Sequence, residues 1–420
     1  MWYNFLSFGR KEGKKVKALK LNKLDYLNAV HCNSKGWITK AVIDKDNYNQ
    51  WHYKFIDLSK MDLTGENIYI TPNTFYSTYR RIEFIKEINC LFIDLDYYKT
   101  GKSKEQIIMD LEENYFNKNI PIPNFVIDSG RGLYLIWRIN TVPSKALPLW
   151  KAIQEYLWEQ LNVLGADRQA LDVTRILRVP GSINTKSKTV VSILDSYNYT
   201  YDLREIQNNF LPELKPKEKK KGRPRKINYI YRERSLYYCR IQDITKLCKL
   251  RKYNLKGHRE FILFLYRYYL CSFTEDTQKA LEDTLELNSM FRQPLKENEV
   301  IRATRSAERC YLDKNKQYKY KNNTLIDLLE ITEEEQTHMI TIISDEEYKR
   351  RDRVYQQKKY YNQLKEQGKS TKKEELDILR QKIKALREKG FKNIDIRNEL
   401  NLAESTLKRH ITYMKKNGLI

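Results

Sequence analysis

An α+β first half followed by a mostly helical second half is the fold class this 420-residue chain predicts. All six tryptophans lie before residue 160, and nine of the ten prolines lie before residue 225, leaving only Pro294 beyond. The first half mixes short strand-like runs with helical spacing, whereas the second half carries helical apolar patterns almost throughout. The expected domains are residues 1–211, a basic linker at 212–230, a helical domain at 231–320, a charged helical connector at 321–372 and a terminal DNA-binding unit at 373–420.

The elements follow in order. YITPNTFY at 69–76 reads as a strand and turn, while the residues before about 80 otherwise give little periodic signal. Over 88–96, Leu91, Ile93 and Leu95 alternate with Phe92, Asp94 and Asp96. A strand there turns its apolar set to a core and both carboxylates to the opposite face. A helix is expected over 104–117, strands over 124–128 and 133–139, a helix over 145–162, and strands near 176–180 and 189–194. That pattern suits a sheet with helices packed on one face.

Two carboxylates on one rigid face suit hard divalent cations, which take oxygen ligands. A pair of ions about 3.5–4 Å apart also relieves the repulsion between the acids. A third carboxylate is needed, and GADRQALDVTR offers Asp167 or Asp172. Asp172 is favoured because it follows the apolar Leu171 and directly precedes an arginine-rich segment. Asp167 follows the Gly165 turn, a position suited to capping. SGRG at 129–132 supplies glycines that let backbone amides approach phosphate oxygens, and an arginine whose planar fork matches them. Arg175, Arg178, Asn184 and Lys186 follow within LDVTRILRVPGSINTK at 171–186. Singly, each motif has an ordinary reading: a strand-end DxD, a glycine hairpin turn, a Pro-Gly turn. Their order and spacing join them.

This series resembles the archaeo-eukaryotic primase superfamily over residues 88–190, in particular the primase-polymerases of plasmids, integrative elements and phages. The resemblance implies a primase-polymerase catalytic core, an RRM-like sheet with helices, performing template-directed nucleotidyl transfer on single-stranded DNA. It implies two Mg²⁺ or Mn²⁺ ions on Asp94, Asp96 and Asp172. It places nucleoside triphosphates against Ser129, Gly130, Arg131, Gly132, Tyr134, Arg175, Arg178 and Lys186. Many relatives carry a histidine two residues after the second glycine, where this chain has Tyr134. A phenol is uncharged near neutral pH, so Arg131, Arg175, Arg178 or Lys186 would have to supply the positive charge. The same substitution keeps a second expectation open: an origin-binding replication initiator with a weak or silent primase-like core. FRQPLKENEVIRATRSA at 291–307 resembles the helical primase C-terminal domain, which implies phosphate contacts from Arg259, Lys296, Arg302 and Arg305.

A net charge of +24 suits a polyanionic partner, although Lys, Ile, Asn and Tyr are also the residues of AT-rich codons. The six cysteines show no CxxC pair and the five histidines are isolated, so no zinc ribbon or disulfide framework is expected. No apolar run is long enough to cross a bilayer, and a soluble cytoplasmic protein without a membrane partner is expected. GKS at 101–103 and GKST at 368–371 lack the first glycine of a phosphate loop, where Asp96 and Gln363 stand. Strand separation would then fall to a separate replicative helicase.

KKKGRPRK at 219–226 lies in a charged, proline-punctuated linker and resembles an AT-hook, with Arg223 and Arg225 suited to a narrow minor groove. At the end of the chain, a helix over 373–389 precedes a helix, a turn through Asn401 to Ala403 and a second helix from Glu404. This is helix-turn-helix spacing. Ser405, Thr406, Lys408 and Arg409 are types that contact base edges and phosphates, so origin duplex DNA is a second expected partner.

Overall fold

The computed structural model describes residues 23–44, 47–211, 229–313, 318, 320–368 and 370–420. The chain divides into two compact units, Met1–Ile342 and Ile343–Ile420.

In the first unit, helix α1 (Lys23–His31) leads into strands β1 (Ile38–Ile43), β2 (Tyr48–Tyr53), β3 (Ile68–Ile70), β4 (Thr74–Phe75) and the long β5 (Ile85–Leu95). Helix α2 (Lys104–Asp110) is followed by β6 (Phe125–Asp128), β7 (Leu133–Pro143) and α3 (Leu147–Leu161). Short strands β8 (Leu177–Arg178), β9 (Ile183–Asn184), β10 (Thr189–Val190) and β11 (Ser192–Ser196) precede α4 (Leu203–Phe210). The expected helix over 104–117 is regular only to Asp110 and closes through a π-turn at Leu111–Tyr115. Strand β7 runs four residues beyond its expected end because it pairs along β5 as far as Glu87 and Pro143.

Two antiparallel sheets result, with strand orders β11-β6-β7-β5-β4 and β2-β1-β3-β8. Strand β5 is buried along most of its length, as a central strand demands, and Asp94 interrupts that burial near its end. Its outer edge is paired to β4 only near Ile85 and Glu87, which leaves backbone groups further along needing partners. Helix α3 provides them. Gln154 accepts from the Phe92 amide at 3.0 Å and donates to the Phe92 carbonyl at 2.9 Å, while Trp150 Nε1 donates to the Cys90 carbonyl at 2.8 Å. Helix α3 therefore serves the strand's edge, a role that its helical periodicity could not reveal.

The helical part of this unit comprises α5 (Tyr229–Leu250), α6 (Arg259–Thr274), α7 (Thr277–Ser289), α8 (Glu297–Leu312), α9 (Asn322–Leu328) and α10 (Glu333–Thr337). It joins the α+β half in one compact unit through buried polar contacts, so the boundary expected between 1–211 and 231–320 is not a spatial division. Arg81 and Glu83 form an ion pair at 3.0 Å with both side chains essentially solvent-free, and the Tyr266 hydroxyl of α6 donates to Glu83 at 3.0 Å.

The second unit contains α11 (Asp345–Glu366), α12 (Lys372–Glu388), α13 (Asn393–Glu399) and α14 (Glu404–Lys416). Ile383, Ile396, Leu407, Ile411 and Met414 make its core, contributed by the last three helices. The turn uses Asn401 in the left-handed conformation (φ 46°), which asparagine tolerates better than most residues. The expected connector at 321–372 is divided: α9 and α10 belong to the first unit and α11 to the second.

Candidate active site

Asp94 stands directly across from Tyr134 of β7, which stands across from Ile127 of β6. Cross-strand partners share a face, so carboxylate and phenol point to the same side of the sheet. Asp96 ends the strand and opens a turn at Tyr97–Thr100. Between β6 and β7, residues 129–132 form a tight turn in which the Ser129 amide and hydroxyl both donate to the Gly132 carbonyl, at 2.9 and 3.0 Å. A side chain on Gly132 would meet the Leu95 carbonyl at 2.6 Å, so glycine lets the turn close beside the carboxylates. Gly130 has φ 95°, and a side chain there would strike Ser187 and Thr189 of the loop from β9 to β10. Asn184 ties that loop to the turn by donating to the Ser129 carbonyl at 2.7 Å.

The third carboxylate beside this pair is Asp167. The segment 165–167 adds to the edge of β5 beyond α3: the Asp96 amide donates to the Gly165 carbonyl and the Asp167 amide to the Asp94 carbonyl, both at 2.8 Å. Leu95 and Ala166 form the bridge between them. Asp167 also caps the next turn by accepting from the Gln169 amide at 3.1 Å, so the capping role read from sequence coexists with its place at the site. Asp172, the residue favoured from sequence, faces elsewhere. Its carboxylate accepts from the Thr174 amide at 2.9 Å and the Thr174 hydroxyl at 2.6 Å. Burial works against its charge, yet Lys279, those two donors and Arg80 hold its pKa below the usual range. The physical reason for the correction is the turn at Arg168–Ala170, which carries the chain away from β5 after Asp167.

Burial, and secondly the neighbouring Asp96, push the Asp94 carboxyl up to about 7; Arg175 and Arg178 pull against this and Asp167 adds to it. Arg178 on β8 comes from the second sheet, its guanidinium 4.6 Å over the Tyr69 ring. It also hydrogen-bonds Tyr134, whose own ionisation is driven up mainly by burial. The positive charge beside Tyr134 is therefore that of Arg178, with Arg175 close by and 3.8 Å from Asp167. Arg131 lies exposed over the Tyr98 ring at 4.9 Å, and Lys186 is exposed on the loop after β9. Ser129 is buried and spends its hydroxyl within the turn, which makes it framework.

Among the described residues, no three His, Cys, Asp or Glu side chains stand grouped so as to hold a metal ion. Cations of the chain occupy the carboxylates: Lys99 Nζ is 2.6 Å from Asp96 and Arg175 approaches Asp167. The donor set is nevertheless all carboxylate oxygen, with a half-buried acid whose charge is uncompensated, and both features suit a hard divalent ion. Tyr69 and Lys99 were not singled out by sequence reasoning. Tyr69 lay within a legible strand, but only its pairing to Arg178 brings it here.

In the second unit, Ser405, Lys408 and Arg409 are exposed on α14 and Thr406 is half-buried. Lys408 pairs with Glu404 at 2.7 Å, one helical turn earlier. Arg380 of α12 lies 3.7 Å over the Tyr413 ring, fastening α14 to its neighbour. Arg223 and Arg225 lie outside the described residues. No helix among the described residues is long and apolar enough to cross a membrane.

No family model matches the chain. Two solved structures resemble it: the AEP domain of the Cyanophage S-2L primase-polymerase and primase RepB′. The first covers 45% of this chain and 96% of its own at 15% identity with a TM-score of 0.34. The second covers 69% and 94% at 12% identity with a TM-score of 0.33. Superpositions of this extent assign no residue a role. A replication protein of Clostridium perfringens is 74% identical over 403 residues, covering 96% of this chain and 99% of that relative. At that identity and coverage, the chain belongs to the family of this replication protein.

Proposed function

We propose that this replication protein synthesises primers, and extends DNA from them, by template-directed nucleotidyl transfer on single-stranded DNA. The observation that carries the reading is the convergence of Asp94, Asp96 and Asp167 on a glycine turn and two arginines, drawn from both sheets. Asp94, Asp96 and Asp167 would hold two Mg²⁺ or Mn²⁺ ions, which when bound supply activation of the primer 3′-hydroxyl and neutralisation of the leaving pyrophosphate. Arg178 and Arg175 would take the triphosphate of the incoming nucleotide, and Arg131 would meet it from the exposed turn. Lys99, with its side chain 56% exposed, has room to turn into solvent when its carboxylate partner is needed elsewhere. Helix α14, with Ser405, Thr406, Lys408 and Arg409, would grip origin duplex DNA, and a separate helicase would open it.

The deciding experiment is primer synthesis on single-stranded DNA with labelled ribo- and deoxynucleotides and either ion, comparing the native chain with Asp94→Ala. Product from the native chain alone is expected. A second reading, an origin-binding initiator with a silent core, is favoured by one observation: Tyr134 is buried and uncharged where many primase-polymerases carry histidine. Absence of product under both ions, together with sequence-selective duplex binding, would establish that reading instead.

A further inference from the structure

The segment 165–178 carries Asp167, Arg175 and Arg178, yet its only regular turn before β8 is Arg168–Ala170. It must be held by its neighbours. At its start it is laddered onto β5 through Gly165 and Asp167. Beyond that it is gripped by residues from outside the catalytic sheet. Arg168 forms an ion pair with Glu275, immediately before α7. The Thr174 carbonyl accepts from Arg80 at 2.6 Å, and the Val173 carbonyl accepts from Asn73 at 3.0 Å. The Arg175 amide donates to the Asp172 carbonyl at 3.0 Å, so Asp172 sets where Arg175 leaves the turn.

Lys279 lies in the first turns of α7 with its side chain 19% exposed, and its ammonium is 2.8 Å from Asp283. It also faces Asp172, whose charge it stabilises. The ionisable groups meeting here are Asp172 and Arg80 from the α+β half, and Lys279 and Asp283 from α7, with Glu83 acting on Asp283 from further off. Removing the ammonium would leave two mostly buried carboxylates facing each other across the junction, and an uncompensated buried charge is strongly unfavourable. The strap is the less regular partner, so it is the part that would move. A displacement of about 1 Å at a reacting group can cost on the order of 100-fold in rate.

We propose that Lys279 is a positioning residue which, through Asp172 and assisted by the Arg168–Glu275 pair, holds the strap so that Asp167 and Arg175 stay at the catalytic face. The inference rests on the site reading given above. It makes the helical half a working part of that site.

The test uses the full chain with Lys279→Met, Lys279→Arg and Glu275→Gln. Mn²⁺ affinity is measured by electron paramagnetic resonance, kcat and KM by primer extension, and folding by thermal melting. Lys279→Met is expected to weaken Mn²⁺ binding roughly 10- to 100-fold, the range for residues that orient a ligand from behind. It should lower kcat while leaving KM for DNA unchanged, and Lys279→Arg should restore both. Adding Asp172→Asn to Lys279→Met should cost little more, since the two act as one unit. A folded Lys279→Met chain with native Mn²⁺ affinity and kcat overturns the inference alone. If that variant does not fold, Glu275→Gln carries the test: weaker Mn²⁺ binding upholds the inference, and native values overturn it. A native chain that neither binds Mn²⁺ nor makes product overturns the site reading and this inference together.

Discussion

In the α+β half, charged side chains lie where water is scarce: Asp94 is half-buried with its carboxyl pushed up to about 7, and Arg81 and Glu83 pair with essentially no exposure. In the C-terminal unit, Lys408 and Glu404 pair with their side chains 74% and 62% exposed. The same residue types therefore do different things. Buried charges are unfavourable to hold and fix geometry closely, so they should control rate and pH response. Exposed charges are screened and contribute little singly, so they should control the strength and salt dependence of nucleic-acid binding.

The sharpest way to break this comparison is Asp94→Ala. It should lower primer synthesis by about 10³-fold or more, at or beyond the cost of losing one preorganised electrostatic group, while leaving duplex binding intact in a gel-shift assay. Next comes the contrast between Asp167→Asn and Asp172→Asn. The first should cost about 100-fold in kcat with little change in melting temperature. The second should lower stability by about 3 kcal/mol, because Lys279 and Arg80 lose a buried partner, with a smaller loss of rate. Equal melting temperatures for the two variants would contradict the placement of these residues.

A third prediction concerns pH. The folded-state pKa of Asp94 is raised to about 7, above the ordinary carboxylate value. Between those two values the native chain keeps a proton that the unfolded chain has released, so metal-free stability should fall as pH rises from about 4 to about 7. Asp94→Asn should accordingly raise the metal-free melting temperature at pH 8, by an amount worth a few kcal/mol at about 1.4 kcal/mol per pKa unit, with much less effect at pH 4. Mn²⁺ affinity of the native chain should increase over the same interval, because binding requires the proton to leave. The smallest effect belongs to the exposed unit. Lys408→Ala with Arg409→Ala should weaken duplex binding across sequences and lower the slope of log affinity against log salt by about 1 for each phosphate no longer neutralised. Primer extension on a pre-annealed template should be unaffected.

Much of the α+β fold was legible because strand alternation and turn residues are local signals. The run through Leu91, Ile93 and Leu95 marks β5, and SGRG marks the β6–β7 turn, where Gly130 requires a positive φ. The terminal helices were equally readable, since Leu379, Ile383 and Leu386 keep helical spacing and Asn401 breaks it. What local signals could not provide was contact across long sequence separations. Asp167 reaches the site because residues 165–167 extend the edge of β5, 70 positions earlier in the chain; the choice between Asp167 and Asp172 depended on that pairing. The joining of the helical half to the catalytic half was hidden for the same reason, since Tyr266 meets Glu83 across 183 residues.

Trp158 gives the strap an optical voice. Its indole nitrogen donates to the Ala166 carbonyl at 3.0 Å, and the guanidinium of Arg168 stands 4.7 Å over the ring. The fluorophore thus touches the residues on both sides of Asp167. A shift of the strap would change the hydrogen bond and the nearby charge together, and the difference between native and Trp158→Phe emission would isolate that change. The closing of the site around an ion or nucleotide could therefore be timed in a stopped-flow instrument without attaching any label.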